Sequence, residues 1–101
     1  MADTPEVKVK KKIRKILDAH NVYYAMPIGS VFGNSGVPDF LCCVNGWFLA
    51  IEAKANGGKP TALQQKHLRD IDKAGGYALV IDEYGVSSGY LESMIEMMRK
   101  L

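Results

Sequence analysis

Apolar and polar positions follow two different rhythms along this chain. Val9, Ile13, Ile16 and Leu17 recur at helical spacing, which puts them on one face of a helix. Thr4-Pro5-Glu6 offers a helix start, with Thr4 as cap, Pro5 at the first helical position and an acid in the first turn. The spacing predicts a helix to about His20. Val22 to Ile28 is rich in Val and Tyr and predicts a strand, whereas Gly29 to Gly36 holds three Gly, two Ser and one Asn and predicts a loop. Val37 to Val44 and Trp47 to Lys54 predict two further strands. Ala55 to Pro60 predicts a flexible loop. Thr61 then caps a second helix carrying Leu68 and Ile71 and ending near Gly75-Gly76. The apolar run Tyr77 to Ile81 suits a buried strand, and a third helix starts at Ser87 or Ser88 and runs to the C-terminus. The order is α-β-β-β-α-β-α. A hairpin followed by strand–helix–strand implies a mixed central sheet flanked by helices, of mixed α/β (α+β) class.

Asn45-Gly46 between two hydrophobic runs is the strongest short-range signal for a two-residue hairpin. That turn sets Val44 opposite Trp47, and counting outward sets Asp39 opposite Glu52. Lys54, two residues on, projects from the same face as Glu52. Like charges directly opposite each other destabilise a sheet. Ile51, Ala53, Phe40 and Leu41 surround the two acids, so the strands read as buried along much of both faces. Buried carboxylates that face each other need a partner, most simply a cation. Hard divalent cations take carboxylate and carbonyl oxygens together with water and phosphate. The reading is a Mg²⁺ or Mn²⁺ site built from Asp39, Glu52 and the backbone carbonyl of Ala53. The alternative is a pair of acids at a solvated sheet edge.

Three further residues bear on that site. Lys54 can position or activate a nucleophile or stabilise developing negative charge; alternatively it forms an ion pair with Glu52 or Asp39. Glu6 shares the stripe of Val9, Ile13 and Ile16 and either points into the site or complements the helix dipole. Gln64 lies at helical spacing with Leu68 and Ile71, so it either serves the site or closes the capping box Thr61-x-x-Gln64. The two roles look mutually exclusive. Gln65 and Lys66 point elsewhere. His20 and His67 have no partners at ligand spacing, and Tyr23, Tyr24 and Trp47 read as core or edge packing.

Composition changes this picture little. The 101 residues fit one domain spanning 1–101, and 48% hydrophobic content supports a core. The net charge is only +2, yet Lys8, Lys10, Lys11, Lys12, Arg14 and Lys15 crowd one segment. That segment is either a solvated helix face or a surface for an anionic partner. Cys42 and Cys43 are adjacent, so strand geometry turns them to opposite faces and they cannot share a metal. Both read as small buried hydrophobes in a reducing compartment. The N-terminus is polar and charged, no segment reaches transmembrane length, and a cytoplasmic protein is expected. Leu91, Met94, Ile95, Met97, Met98 and Leu101 exceed one narrow core stripe, so some are candidates for a two-fold dimer interface.

Three segments carry a resemblance: Gly36-Val37-Pro38-Asp39-Phe40, Ile51-Glu52-Ala53-Lys54 and Pro60-Thr61-x-x-Gln64. With the hairpin spacing and the Gly75-Gly76 helix end, the chain resembles the PD-(D/E)XK nuclease superfamily, most closely the small stand-alone VRR-NUC type found in phages. The resemblance runs from Glu6 to about Ile81. It implies a restriction-endonuclease-like core and a divalent-metal-dependent DNA endonuclease, similar to Holliday-junction resolvases and acting as a homodimer on branched DNA such as junctions and flaps. It carries Asp39 and Glu52 over as metal ligands, Lys54 as the catalytic lysine, Glu6 as the first-helix acid and Gln64 as the motif glutamine. DNA phosphates would then meet Lys8, Lys11, Lys12, Lys15 and Lys59. The setting it implies is a bacterial or phage-infected cytoplasm. The rival class is a non-catalytic or partner-dependent nucleic-acid-binding module on the same fold. A metal enzyme acting on some other phosphate is a third option, disfavoured because no Gly-rich phosphate loop opens a helix.

Overall fold

The computed structural model describes residues 2–28 and 36–101. Along them run helix α1 (Pro5–Ala19), strands β1 (Tyr23–Ala25), β2 (Phe40–Val44) and β3 (Trp47–Ala53), helix α2 (Ala62–Lys73), strand β4 (Tyr77–Ile81), and helices α3 (Glu83–Ser87) and α4 (Tyr90–Arg99). The sheet is mixed, in the order β1-β2-β3-β4, with β4 parallel to β3 and the other pairs antiparallel. Of the predicted loop, only Gly36 lies within the described residues.

A two-residue turn fixes the middle of the sheet. Asn45 and Gly46 have φ of 51° and 83°, the positive pair that a type I′ hairpin turn needs. Val44 therefore pairs with Trp47 and Phe40 with Ile51. The ladder stops at Phe40, so Asp39 continues the register one residue beyond the last pair, in a bend. Parallel pairing then aligns Glu52 with Val80 and Ala53 with Ile81, and the Lys54 N–H donates to the Ile81 carbonyl at 3.0 Å.

The core lies on one face of the sheet. Val9, Ile13 and Leu17 of α1 and Leu91, Ile95 and Met98 of α4 pack there against Phe40, Cys42, Val44, Leu49, Ile51, Ala53, Leu79 and Ile81. Burial of this apolar surface is the main force holding the fold. Residues of the opposite parity, including Phe48 and Glu52, face the side of α2. That cover is looser: no residue of α2 is fully buried, and Phe48 remains exposed.

Several expectations need correction. The first strand shortens to Tyr23–Ala25, and Tyr23 is exposed rather than packed. Cys42 is buried, but Cys43 is exposed, because it points to the face that α2 leaves uncovered. The C-terminal helix is preceded by a separate short one. The Asp82 side chain accepts from the Gly85 N–H at 2.9 Å and starts α3, and Gly89, with φ 83°, separates it from α4. Met97 on α4 and Leu101 just after it are left exposed, while Leu91, Ile95 and Met98 enter the core. No helix among the described residues is long and apolar enough to cross a membrane.

Candidate metal centre

The carboxylates meet where β3 ends, between the first turns of two helices. Thr4 caps α1 through the Val7 N–H at 3.2 Å, which places Glu6 in the first turn. Thr61 caps α2 and places Gln64 at its third position. Each helix packs on a different face of the sheet, so both helix starts reach the same rim. Gly36 fixes the third approach. Its φ is +81°, and a Cβ there would lie 2.9 Å from the Leu63 carbonyl carbon and 3.0 Å from the Gln64 nitrogen. The segment leading to Asp39 thus lies directly on the first turn of α2, which only glycine permits.

Asp39 does not pair across the ladder. Its Oδ2 accepts the Ala53 N–H at 2.8 Å, and its Oδ1 lies 3.1 Å from Lys10 Nζ. Glu52 is 2% exposed. Its Oε2 accepts from Gln64 Nε2 at 3.1 Å and lies 3.5 Å from Lys54 Nζ. Its Oε1 is buried without a hydrogen-bond partner among the described residues. Lys54 Nζ lies also 3.6 Å from Glu6 Oε1. Burial, and after it the Asp39 carboxylate, push the Glu52 carboxyl up to about 7, against the pull of Lys54. Burial disfavours the charged form and a neighbouring like charge adds to it.

Gln64 makes both contacts, the helix cap and the hydrogen bond to Glu52. Its Oε1 accepts the Thr61 N–H at 2.9 Å, its own N–H donates to Thr61 Oγ1 at 3.2 Å, and its Nε2 is left for Glu52. An amide has an acceptor end and a donor end, so cap and site do not compete. Gln65 turns away, donating to the Pro60 carbonyl at 3.1 Å.

The donor chemistry fits a hard divalent cation. A buried carboxylate oxygen without a hydrogen-bond partner among the described residues, beside a second carboxylate, offers a place that a cation would fill. Among the described residues no group of three or more His, Cys, Asp or Glu side chains is arranged to hold a metal. The chain would thus offer two carboxylates and the Ala53 carbonyl, leaving other positions to water and substrate oxygen, as Mg²⁺ prefers. Clefts of about 350 and 500 Å³ lie elsewhere, lined by residues such as Phe48 and Ile71 or Val80 and Tyr84. The carboxylates lie at the end of β3, outside both clefts.

The basic run of α1 divides by helical position. Lys8, Lys11, Lys12 and Lys15 are exposed and share one outer stripe, with Lys11 also paired to Asp3 at 2.6 Å. Lys59 is exposed on the loop before α2. Arg14, also exposed, donates to the Tyr24 hydroxyl at 3.2 Å, which donates to Asp18 at 2.7 Å. Lys10 is the site residue that sequence reasoning missed. Its signal was present: it stands four residues after Glu6, hence on the same face of α1. His20 caps the end of α1 and lies 3.5 Å from Glu96, and His67 is half-buried; neither touches the carboxylates.

Compared with protein families and with curated proteins, the chain has no match. Solved structures do match it. One named "VRR_NUC domain" superposes with a TM-score of 0.74 at 24% identity, covering 87% of this chain and 96% of the other. A second, named "VRR_NUC domain protein", gives 0.68 at 16% identity, covering 95% and 92%. At these identities the shared property is the architecture, and over nearly its whole length the chain has the fold of the VRR_NUC domains.

Proposed function

We propose that this chain is a divalent-metal-dependent endonuclease of the VRR-NUC type, hydrolysing phosphodiester bonds in DNA. The observation that carries the reading is the buried Glu52, with Oε1 unpartnered, beside Asp39 and within 3.5 Å of Lys54. Asp39, Glu52 and the Ala53 carbonyl would hold Mg²⁺ or Mn²⁺, with Glu6 acting through water. When bound, such an ion supplies Lewis-acid polarisation of the phosphate and an activated water.

The remaining work belongs to the side chains. Gln64 holds Glu52 in one orientation through its amide nitrogen. Glu6 and Glu52 together hold the Lys54 ammonium over the rim. From there Lys54 can orient the attacking water and stabilise the charge that develops as the P–O bond breaks. The α1 stripe of Lys8, Lys11, Lys12 and Lys15, with Lys59, would contact phosphates on either side and set register rather than sequence. Branched DNA as the preferred substrate, and a homodimer that brings two such sites together, complete the proposal. Met97 and Leu101, exposed on and just after α4, are available for such an interface. A cytoplasmic setting agrees with the free thiols Cys42 and Cys43.

The test compares Mg²⁺-dependent cleavage of four-way junction, flap, duplex and single-stranded DNA by wild type, Asp39→Asn and Lys54→Ala. Cleavage by wild type and its loss in both variants is expected. Failure of wild type to cut any substrate would sink the enzyme reading, and DNA binding without cleavage would put a non-catalytic module in its place. Equal cleavage by the variants would remove the site assignment alone.

A further inference from the structure

Lys54 is not the only ammonium at the carboxylates. Lys10 Nζ lies 3.1 Å from Asp39 Oδ1, with the lysine side chain 29% and the aspartate side chain 18% exposed. The other oxygen of Asp39 is already taken by the Ala53 N–H. Both oxygens of Asp39 thus already carry a contact, while Glu52 Oε1 has no hydrogen-bond partner among the described residues. A divalent ion shared between the two carboxylates would find one ready and the other occupied. An ammonium and a divalent cation against the same carboxylate oxygen repel each other, so metal binding there favours the arrangement in which Lys10 has swung away.

Lys10 cannot leave the site when displaced. Its Cα is held by α1 next to the core residue Val9 and one turn after Glu6, which itself reaches Lys54. Only the flexible stem can move, so the ammonium swings at the rim, where a substrate phosphate would lie. We propose that Lys10 is a built-in counter-ion: it closes Asp39 in the metal-free protein, yields that oxygen to the divalent cation, and then binds the phosphate of the substrate. Metal and DNA then help each other bind, because each draws on the state in which Lys10 has left Asp39. By linkage this coupling is reciprocal. The inference rests on the metal-dependent reading and adds a positioning residue to it.

The test needs no cleavage. Mn²⁺ is titrated calorimetrically into the full chain, as wild type, Lys10→Gln and Lys10→Arg, without DNA. Loss of a partly exposed ion pair corresponds to about fivefold in affinity, so Lys10→Gln is expected to bind Mn²⁺ about fivefold more tightly. Lys10→Arg keeps the closing cation and is expected to fall back to the wild-type affinity or below. DNA binding, read by fluorescence anisotropy, should be weaker for Lys10→Gln than for wild type in Ca²⁺ but equal in EDTA, where Lys10 is engaged by Asp39. A merely structural role would not shift metal and DNA affinity in opposite directions. Unchanged or weaker Mn²⁺ binding by Lys10→Gln overturns the inference, as does an equal loss of DNA affinity in EDTA and Ca²⁺. Absence of Mn²⁺ binding to wild type and variants alike overturns the metal-dependent reading with it.

Discussion

Gln64 donates its amide nitrogen to Glu52 Oε2 at 3.1 Å while its amide oxygen accepts the Thr61 N–H at 2.9 Å. One side chain thus ties the start of α2 to the buried acid of β3. Gln64→Leu removes both contacts and should lower stability by about 1 kcal/mol, the usual scale for a lost helix cap. Gln64→Glu keeps a good capping residue but places a carboxylate against Glu52. Both variants are expected to lose Mg²⁺-dependent cleavage. Urea denaturation in EDTA at pH 5, where Glu52 is protonated, should show the stability loss chiefly in the leucine variant. Equal losses there would separate the cap from the contact to Glu52.

The elevated Glu52 carboxyl makes the metal-free protein sensitive to pH. Unfolded, the group titrates near 4.5; folded, near 7. Below 4.5 both states hold the proton and Glu52 costs nothing. As pH rises from 4.5 through 7 the unfolded chain releases the proton first, so stability falls, then levels off. The full loss is about 3 kcal/mol for a displacement of this size. Glu52→Gln should abolish that slope, melting like wild type at pH 4.5 and several degrees higher at pH 8 in EDTA. Thermal melts across this range check it; parallel wild-type and variant curves would count against the shift.

Gly36 and Gly46 share a positive φ but differ in what surrounds them. A Cβ at Gly46 meets nothing within 4 Å, whereas at Gly36 it meets the backbone of Leu63 and Gln64. Gly46→Ala should therefore cost only backbone strain, about 1–2 kcal/mol. Gly36→Ala bears the same strain plus displacement of α2, which carries Gln64 away from Glu52. Greater destabilisation, together with loss of cleavage, is expected for Gly36→Ala. Chemical denaturation of both variants supplies the comparison.

The two cysteines should react as different species. Cys42 is buried, and its thiol is pushed up to about 12 by that burial, which leaves almost no nucleophilic thiolate at neutral pH. Cys43 stands exposed. A disulfide reagent at pH 8 is expected to modify one thiol promptly and the second only on unfolding. Prompt modification of both would mean that the core packed by α1 and α4 does not shield Cys42.

Much of this arrangement is legible in the chain because one dipeptide decides it. Asn45-Gly46 determines a register, and the register brings Asp39 and Glu52 to the same end of the hairpin. What was illegible depends on tertiary surroundings. Lys10 looked like its basic neighbours because helical spacing shows which residues share a face, not what that face meets. Cys43 looked buried because strand alternation does not reveal that α2 covers its side only in part. The start of α3 was missed because Asp82-x-x-Gly85 caps a helix too short to show periodicity. The apparent conflict at Gln64 came from treating the side chain as having a single end.

The hairpin also has a consequence for how such a protein tolerates change. Asp39 lies six residues from Asn45, about 20 Å of extended strand, so the alignment of the two acids is set far from any substrate. Adding one residue on one arm beside the turn would leave every side chain of the rim chemically intact. It would nevertheless shift one strand by a single step and turn its residues to the other face, carrying one carboxylate away from the other. Length variation is therefore expected in the loop from Ala55 to Pro60, and intolerance of it at the tip of the hairpin, although the tip lies far from the carboxylates and its Asn45 side chain contacts the Arg99 and Leu101 carbonyls instead.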